Sequence, residues 1–168
     1  GMFITREEFA KLTPFPVRLE SSVLATMGLK HLDRVVAAGS YAGSPLLRRA
    51  IYTWKYGRIK GMGEKLGELL VRVFPLIGKN ADAILCPIPL HWSREFYRGF
   101  NQAEQLADIL SESTNIPVIP CLRRVRATAF QARKQGAERR ALMQDVFRCL
   151  ASPIPSHIIL IDDILTTG

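Results

Sequence analysis

Residues 158–168 read IILIDDILTTG: four apolar residues run straight into Asp162 and Asp163, with Thr166, Thr167 and Gly168 close behind. Two ionised carboxylates side by side are acceptors, and they suit either the vicinal hydroxyls of a ribose or a Mg²⁺ ion. Two hydroxyls followed by a glycine offer a run of backbone N–H groups that, in a tight turn, makes an anion nest. An acid pair followed this closely by a phosphate nest suits a ribose 5-phosphate. The competing interpretation is a strand end capped by solvated Asp and Thr side chains. The pattern DDxxTTG directly after an apolar run favours the ligand.

For the acid pair to meet a ligand, the apolar run must be a strand whose carboxyl end faces a site. His157–Asp162 reads as a strand buried on both faces, and Ala81–Pro89 as another, ended by two prolines. Pro117–Leu122 reads as a second strand in chain order, which Pro120 demotes to an edge or kinked strand. Helices alternate with these strands. Thr5 with Glu8 forms a capping box for a first helix that Pro14 and Pro16 end. Ser44 and Pro45 open a second helix that runs to Gly57, and a third covers Gly61 to about Phe74. Asn101 with Glu104 caps a fourth, carrying Ala103, Leu106, Ala107 and Leu110 at helical spacing. Val35–Gly43 shows no period. Amphipathic helices alternating with strands predict an α/β fold with a mostly parallel sheet, in which ligands bind beyond the carboxyl ends of the strands.

The chain has 168 residues and a net charge of +8. Its hydrophobic fraction of 48% is that of a globular core, and no unbroken apolar run is long enough for a membrane span. Cys86, Cys121 and Cys149 are far apart with no CxxC, which points to reduced thiols, a cytoplasmic setting and no zinc site. No charged-apolar-small leader pattern opens the sequence. From Arg123 to Arg140, seven Arg or Lys residues face one acid, Glu138. Such a stretch favours phosphate, pyrophosphate or nucleic acid, or is simply a solvated loop. His31, His91 and His157 have no partners at metal-ligand spacing and read as structural.

IILIDDILTTG closely resembles the phosphoribosyl-pyrophosphate (PRPP) motif of the type I phosphoribosyltransferases. Cys86–Ala107 (CPIPLHWSREFYRGFNQAEQLA) looks like the signature of the ComF/GntX family, the competence-protein branch of these folds. Tyr52–Gly57 (YTWKYG) and Arg123–Arg140 (RRVRATAFQARKQGAERR) resemble that family too. The resemblance implies a type I phosphoribosyltransferase fold: an N-terminal helical hood segment over residues 1–40, and an α/β domain over 41–168 that is incomplete at its carboxyl end. It implies that Asp162 and Asp163, the catalytic pair, hold the ribose hydroxyls. The Ile164 and Leu165 backbone with Thr166, Thr167 and Gly168 would cradle the 5-phosphate. The turn carrying Pro87, Pro89, Arg94 and Arg98 falls where these enzymes bind pyrophosphate. Arg126, Gln131, Arg133 and Arg139 lie in the loop that closes over the site. Mg²⁺ would arrive on PRPP without a direct protein ligand. Many members carry a four-cysteine zinc ribbon at the N-terminus, whereas residues 1–40 here hold no cysteine.

The implied activity is transfer of a phosphoribosyl group to an unknown acceptor with release of pyrophosphate. Two other functions stay open: a competence protein that binds single-stranded DNA or the uptake machinery, and a PRPP or nucleotide sensor. A homodimer is an open assembly state. Single-strand platforms want aromatics among the cations, and within Arg123–Arg140 only Phe130 qualifies. The acid-pair substitution Asp162→Asn separates the functions, because only PRPP binding depends on that carboxylate.

Overall fold

The computed structural model describes residues 4–57, 59, 61–78, 80–126 and 145–165. The capping signals work as the sequence predicts. Helix α1 (Arg6–Ala10) is closed by a reciprocal box, Thr5 Oγ1 accepting from the Glu8 N–H at 3.2 Å and Glu8 Oε2 from the Thr5 N–H at 2.9 Å. Strand β1 (Val17–Glu20) and strand β2 (Arg34–Ala37) form an antiparallel ribbon, with helix α2 (Ser21–Thr26) between them. Sequence reading missed these three elements. Each strand has four residues, all exposed or half-buried, so no burial alternation marks them; in α2 Leu24 alone is buried.

Helix α3 (Pro45–Tyr56) begins with Ser44 Oγ accepting from the Leu47 N–H at 3.2 Å, and it buries Ala50, Ile51, Thr53 and Trp54. Helix α4 (Gly61–Val73) runs into a 3₁₀ turn at Phe74–Ile77. Strand β3 (Ala83–Pro87) is buried throughout. Helix α5 (Trp92–Arg98) follows, ending on Gly99 in the left-handed region at φ 84°. Helix α6 (Gln102–Thr114) is capped by Asn101, whose Oδ1 accepts from the Ala103 N–H at 3.0 Å. Strand β4 (Leu122–Arg124) pairs antiparallel with β5 (Phe147–Cys149), and β6 (His157–Ile161) pairs parallel with β3.

The mixed α/β class is therefore present, but the sheet among the described residues differs from the expected one. Parallel pairing is confined to β3 and β6, plus a single bridge from Leu85 to Val118. The predicted strand at Pro117–Leu122 shrinks to that bridge: the Leu85 N–H donates to the Pro117 carbonyl and the Ile119 N–H to the Leu85 carbonyl, both at 2.9 Å, and the next donor on β3 would be Pro87, which has no N–H. Strand β6 is also not buried on both faces: Ile158 and Leu160 are exposed, while Ile161 joins the core.

The main core packs α3, α4 and α6 on β3 and β6, through Trp54, Leu66, Leu69, Leu85, Leu106, Ala107, Leu110 and Ile161. The N-terminal segment docks on α3 by the Arg49–Glu8 ion pair at 2.7 Å and by the Ile4 N–H donating to Thr53 Oγ1 at 3.0 Å. Helices α4 and α6 approach closely because Gly63 and Gly67 face Gln105 and Ile109; a Cβ on Gly67 would lie 2.6 Å from Ile109 Cδ1. Gly67→Val is accordingly expected to cost about 1–3 kcal/mol through overpacking, read as a lowered thermal midpoint. An unchanged midpoint would mean that the two helices separate freely.

The three cysteines converge despite their separation in sequence. Cys86 and Cys121 pack together beside Ile84, and the ladder sets Cys149 opposite Leu122. Burial, followed by the neighbouring Cys86, raises the Cys121 thiol above its ordinary range.

Candidate functional site at the carboxyl ends of β3 and β6

Strands β3 and β6 run in register, Ala83 opposite His157 and Pro87 opposite Ile161, so their carboxyl ends open at the same level. The Ile88 N–H donates to the Ile161 carbonyl at 2.9 Å and holds the two exits together. The acid pair leaves from one exit, and the Pro87–Arg98 turn leaves from the other. Asn101 Nδ2 donates to the Ile88 carbonyl at 3.2 Å, which ties the turn to the start of α6. Asn101 is thus a helix cap and a turn anchor.

The paired carboxylates have different surroundings. Asp163 Oδ2 receives Lys55 Nζ at 2.7 Å, with the two side chains only 12% and 13% exposed. Asp162 Oδ1 accepts the backbone N–H of Asp163 at 2.8 Å, so the pair is locally braced. Burial first, and the Asp163 charge second, push the Asp162 carboxyl up from 3.8 to about 6; the Asp163 N–H, Lys55 and Arg98 pull the other way. Asp162 nevertheless keeps an open side to solvent, which tempers the penalty. One carboxylate is held as an ion pair while the other faces outward at the mouth of the site.

Cations converge on this mouth. Arg98 donates from Nη1 to Gln102 Oε1 at 3.0 Å, and its guanidinium carbon lies 5.7 Å from the centre of the Tyr56 ring. That double hold keeps Arg98 close enough to Asp162 to stabilise its charge. Arg124 of β4 stands near both Arg94 and Asp162. Burial, then the like charge of Arg94, lowers its pKa, and Asp162 opposes the shift. Crowded guanidiniums beside carboxylates at a strand mouth form a surface for a ligand carrying both hydroxyls and phosphates. Gln102 is 1% exposed, and its Nε2 is buried without a hydrogen-bond partner. Arg98 fixes this orientation of the amide, since a guanidinium needs the oxygen rather than the nitrogen.

The structure thus brings Asp162, Asp163, Arg94 and Arg98 to one mouth. Pro87 ends β3, and Pro89 is half-buried in the turn beyond it. The Ile164 side chain packs on the main core, while Leu165 is exposed. Arg126 is exposed, its carbonyl accepting from Arg124 Nε at 3.3 Å. Thr166, Thr167, Gly168, Gln131, Arg133 and Arg139 lie outside the described residues. Sequence reasoning gave Lys55 a helix-end role and overlooked Arg124 and Gln102. The YTWKYG stretch was the one available signal for Lys55. Among the described residues, no group of three or more His, Cys, Asp or Glu side chains is placed to hold a metal ion. No helix among them is long and apolar enough to cross a membrane.

An α/β chain with an acid pair and converging arginines at the carboxyl ends of parallel strands is thus defined by its own geometry. Three named proteins show what it is similar to. The DNA utilization protein YhgH of Escherichia coli is 30% identical over 143 residues, covering 81% of this chain and 61% of that protein. Competence protein F of Haemophilus influenzae is 34% identical over 94 residues, 54% of this chain and 41% of that protein. Competence protein ComFC of Bacillus subtilis is 37% identical over 96 residues, 56% of this chain and 38% of that protein. The chain is thus similar to proteins named competence protein F and ComFC and to the DNA utilization protein YhgH. It spans about three-fifths of the YhgH length, 61%. No family model and no solved structure matches it.

Proposed function

We propose that the mouth formed by β3 and β6 binds PRPP with Mg²⁺, and that the protein transfers the phosphoribosyl group to an acceptor with release of pyrophosphate, on a type I phosphoribosyltransferase fold. The observation that carries the proposal is the Lys55–Asp163–Asp162 constellation facing Arg98, Arg94 and Arg124. Asp162 and Asp163 would accept from the ribose hydroxyls. Arg94 and Arg98 suit the pyrophosphate, because a guanidinium clamps two oxygens at once. The donor set fits Mg²⁺ delivered by its ligand: two carboxylates, one already neutralised by Lys55, are too few for an all-protein cation cage, and Mg²⁺ commonly pairs one or two carboxylates with substrate phosphates.

In the transfer, the bond from the anomeric carbon to pyrophosphate breaks and a bond to the acceptor forms. The arginines would stabilise the departing anion, and the braced acid pair would fix the ribose. None of these residues is placed as a general base, which agrees with chemistry run by positioning and charge. The relatives' names, DNA utilization protein and competence protein, set this reading in the handling of incoming DNA.

Calorimetric titration of Mg²⁺-PRPP into the parent and into Asp162→Asn/Asp163→Asn tests the proposal. Saturable binding in the parent and its loss in a folded variant are the expected results. Absence of binding by a folded parent overturns it. Pyrophosphate release with candidate acceptors then separates a transferase from a sensor.

A further inference from the structure

Arg98 is the last residue of α5 and lies between two other helices. On one side is Tyr56 at the end of α3, its ring centre 5.7 Å from the guanidinium carbon. On the other is Gln102, the first residue of α6, whose Oε1 accepts from Arg98 Nη1 at 3.0 Å. Helix α5 buries none of its residues, so the helix itself does little to aim this side chain. An arginine left alone there would sample many rotamers; a stacked ring and a fixed acceptor select one of them.

The two flanking groups do not move independently. Trp54, two residues before Tyr56, is 1% exposed and donates from Nε1 to Gln105 Oε1 of α6 at 3.1 Å. That bond fixes the end of α3 against the start of α6, and so fixes the gap that Arg98 fills. Tyr52, one turn earlier, packs its ring on Tyr56 with centres 4.7 Å apart. Between Trp54 and Tyr56 stands Lys55, which holds Asp163. Successive helical residues point about 100° apart, so this one turn reaches α6, the acid pair and Arg98 at once.

Gln102 adds an independent observation. It is 1% exposed, and its Nε2 has no hydrogen-bond partner among the described residues. A buried amide with an unmet donor destabilises a fold. Methionine would fill a similar volume without that cost. What the glutamine supplies and methionine cannot is the oxygen that holds Arg98.

We infer that Tyr56 and Gln102 are positioning residues that aim the Arg98 guanidinium at the pyrophosphate of the bound ligand, while Lys55 on the same turn sets the acid pair for the ribose. This rests on the ribose-phosphate reading of the mouth and adds to it how the two halves of the site are held at a fixed spacing. Both residues act through Arg98, without contact of their own to the ligand. A guanidinium already held in place gives up less freedom when pyrophosphate arrives, so the hold is felt as affinity for that half alone.

Half-ligands separate this role from a structural one. The experiment titrates Mg²⁺-PRPP, Mg²⁺-pyrophosphate and ribose 5-phosphate calorimetrically into the whole chain and its variants. The parent is expected to bind all three. Tyr56→Leu should weaken Mg²⁺-pyrophosphate binding by about threefold or more, and Tyr56→Phe, which keeps the ring, should restore it. Gln102→Met should weaken the same ligand by about tenfold, with a thermal midpoint equal to or above the parent's, since the unmet donor is gone. Ribose 5-phosphate should bind Tyr56→Leu and Gln102→Met as it binds the parent, and Mg²⁺-PRPP should follow the pyrophosphate. A folded variant that binds Mg²⁺-pyrophosphate like the parent overturns the role of that residue. An equal loss of both half-ligands overturns it too, because that is a packing defect. Failure of the folded parent to bind Mg²⁺-PRPP or either half is a different result: it removes the ribose-phosphate reading, and this inference with it.

Discussion

Lys55→Met is expected to destabilise the protein by about 3 kcal/mol or more at neutral pH. The Lys55–Asp163 pair is largely withdrawn from water, with side chains 13% and 12% exposed and 2.7 Å between Nζ and Oδ2. Removing the ammonium leaves one carboxylate buried without its cation and directly beside a second one. It also removes a cation from the last turn of α3, where the helix dipole favours positive charge. The cost should fall away when Asp163→Asn is combined with Lys55→Met, because the stranded charge is then gone. A double-mutant cycle by chemical denaturation measures this directly. A coupling of about 2 kcal/mol or more identifies the pair as a buried brace. A cost below about 1 kcal/mol with no coupling would assign it to the weak surface class and remove the argument that α3 pre-organises the acid pair. PRPP binding should weaken in Lys55→Met and should not return in the double variant, since the second substitution removes a proposed ribose acceptor.

That brace shows where a sequence can and cannot be read. The acid pair was legible because its chemistry is local: two carboxylates and an apolar run lie within one short segment. Helix starts at Thr5, Ser44 and Asn101 were legible for the same reason, since a cap bonds to a backbone N–H two or three residues away. Lys55 was read as a helix-end cation, which it is; its partner stands on the far side of the chain, where only the parallel pairing of β3 with β6 places it. Arg124 reached the site through β4, a three-residue strand too short to carry a period. Helix α5 escaped for the opposite reason. Periodicity assumes that apolar side chains turn inward, whereas Trp92 and Phe96 turn outward, so the rule that finds buried helices hides an exposed one. The β1–α2–β2 unit has little buried surface to pattern, and the sequence over Val35–Gly43 accordingly looked structureless.

Asp162→Asn should separate binding from stability, in opposite directions. The folded state raises the Asp162 carboxyl from 3.8 to about 6, so it holds that proton more tightly than the unfolded chain does. Between these values the folded state binds more protons, and stability falls as pH rises. The penalty is absent below about pH 4, grows through the window and is complete above about pH 6. Asparagine cannot ionise, yet its Oδ1 can still accept the Asp163 N–H. The variant is therefore expected to melt higher than the parent at pH 7.5, with the difference closing as the pH approaches 4. Solvent reaches Asp162, so the gain should be modest, about 1 kcal/mol or less, or a rise of a few degrees. Ligand binding should move the other way. PRPP affinity in the parent should increase as the pH passes through about 6, because the ribose hydroxyls need an ionised acceptor, and the variant should lose both the affinity and this pH dependence. Thermal melts and calorimetric titrations at matched pH values test both halves. A variant less stable than the parent at pH 7.5 would show that Asp162 is a structural acceptor, its charge held for the fold. A more stable variant that no longer binds would show a carboxylate kept at a cost to stability, which is the signature of a residue retained for its ligand.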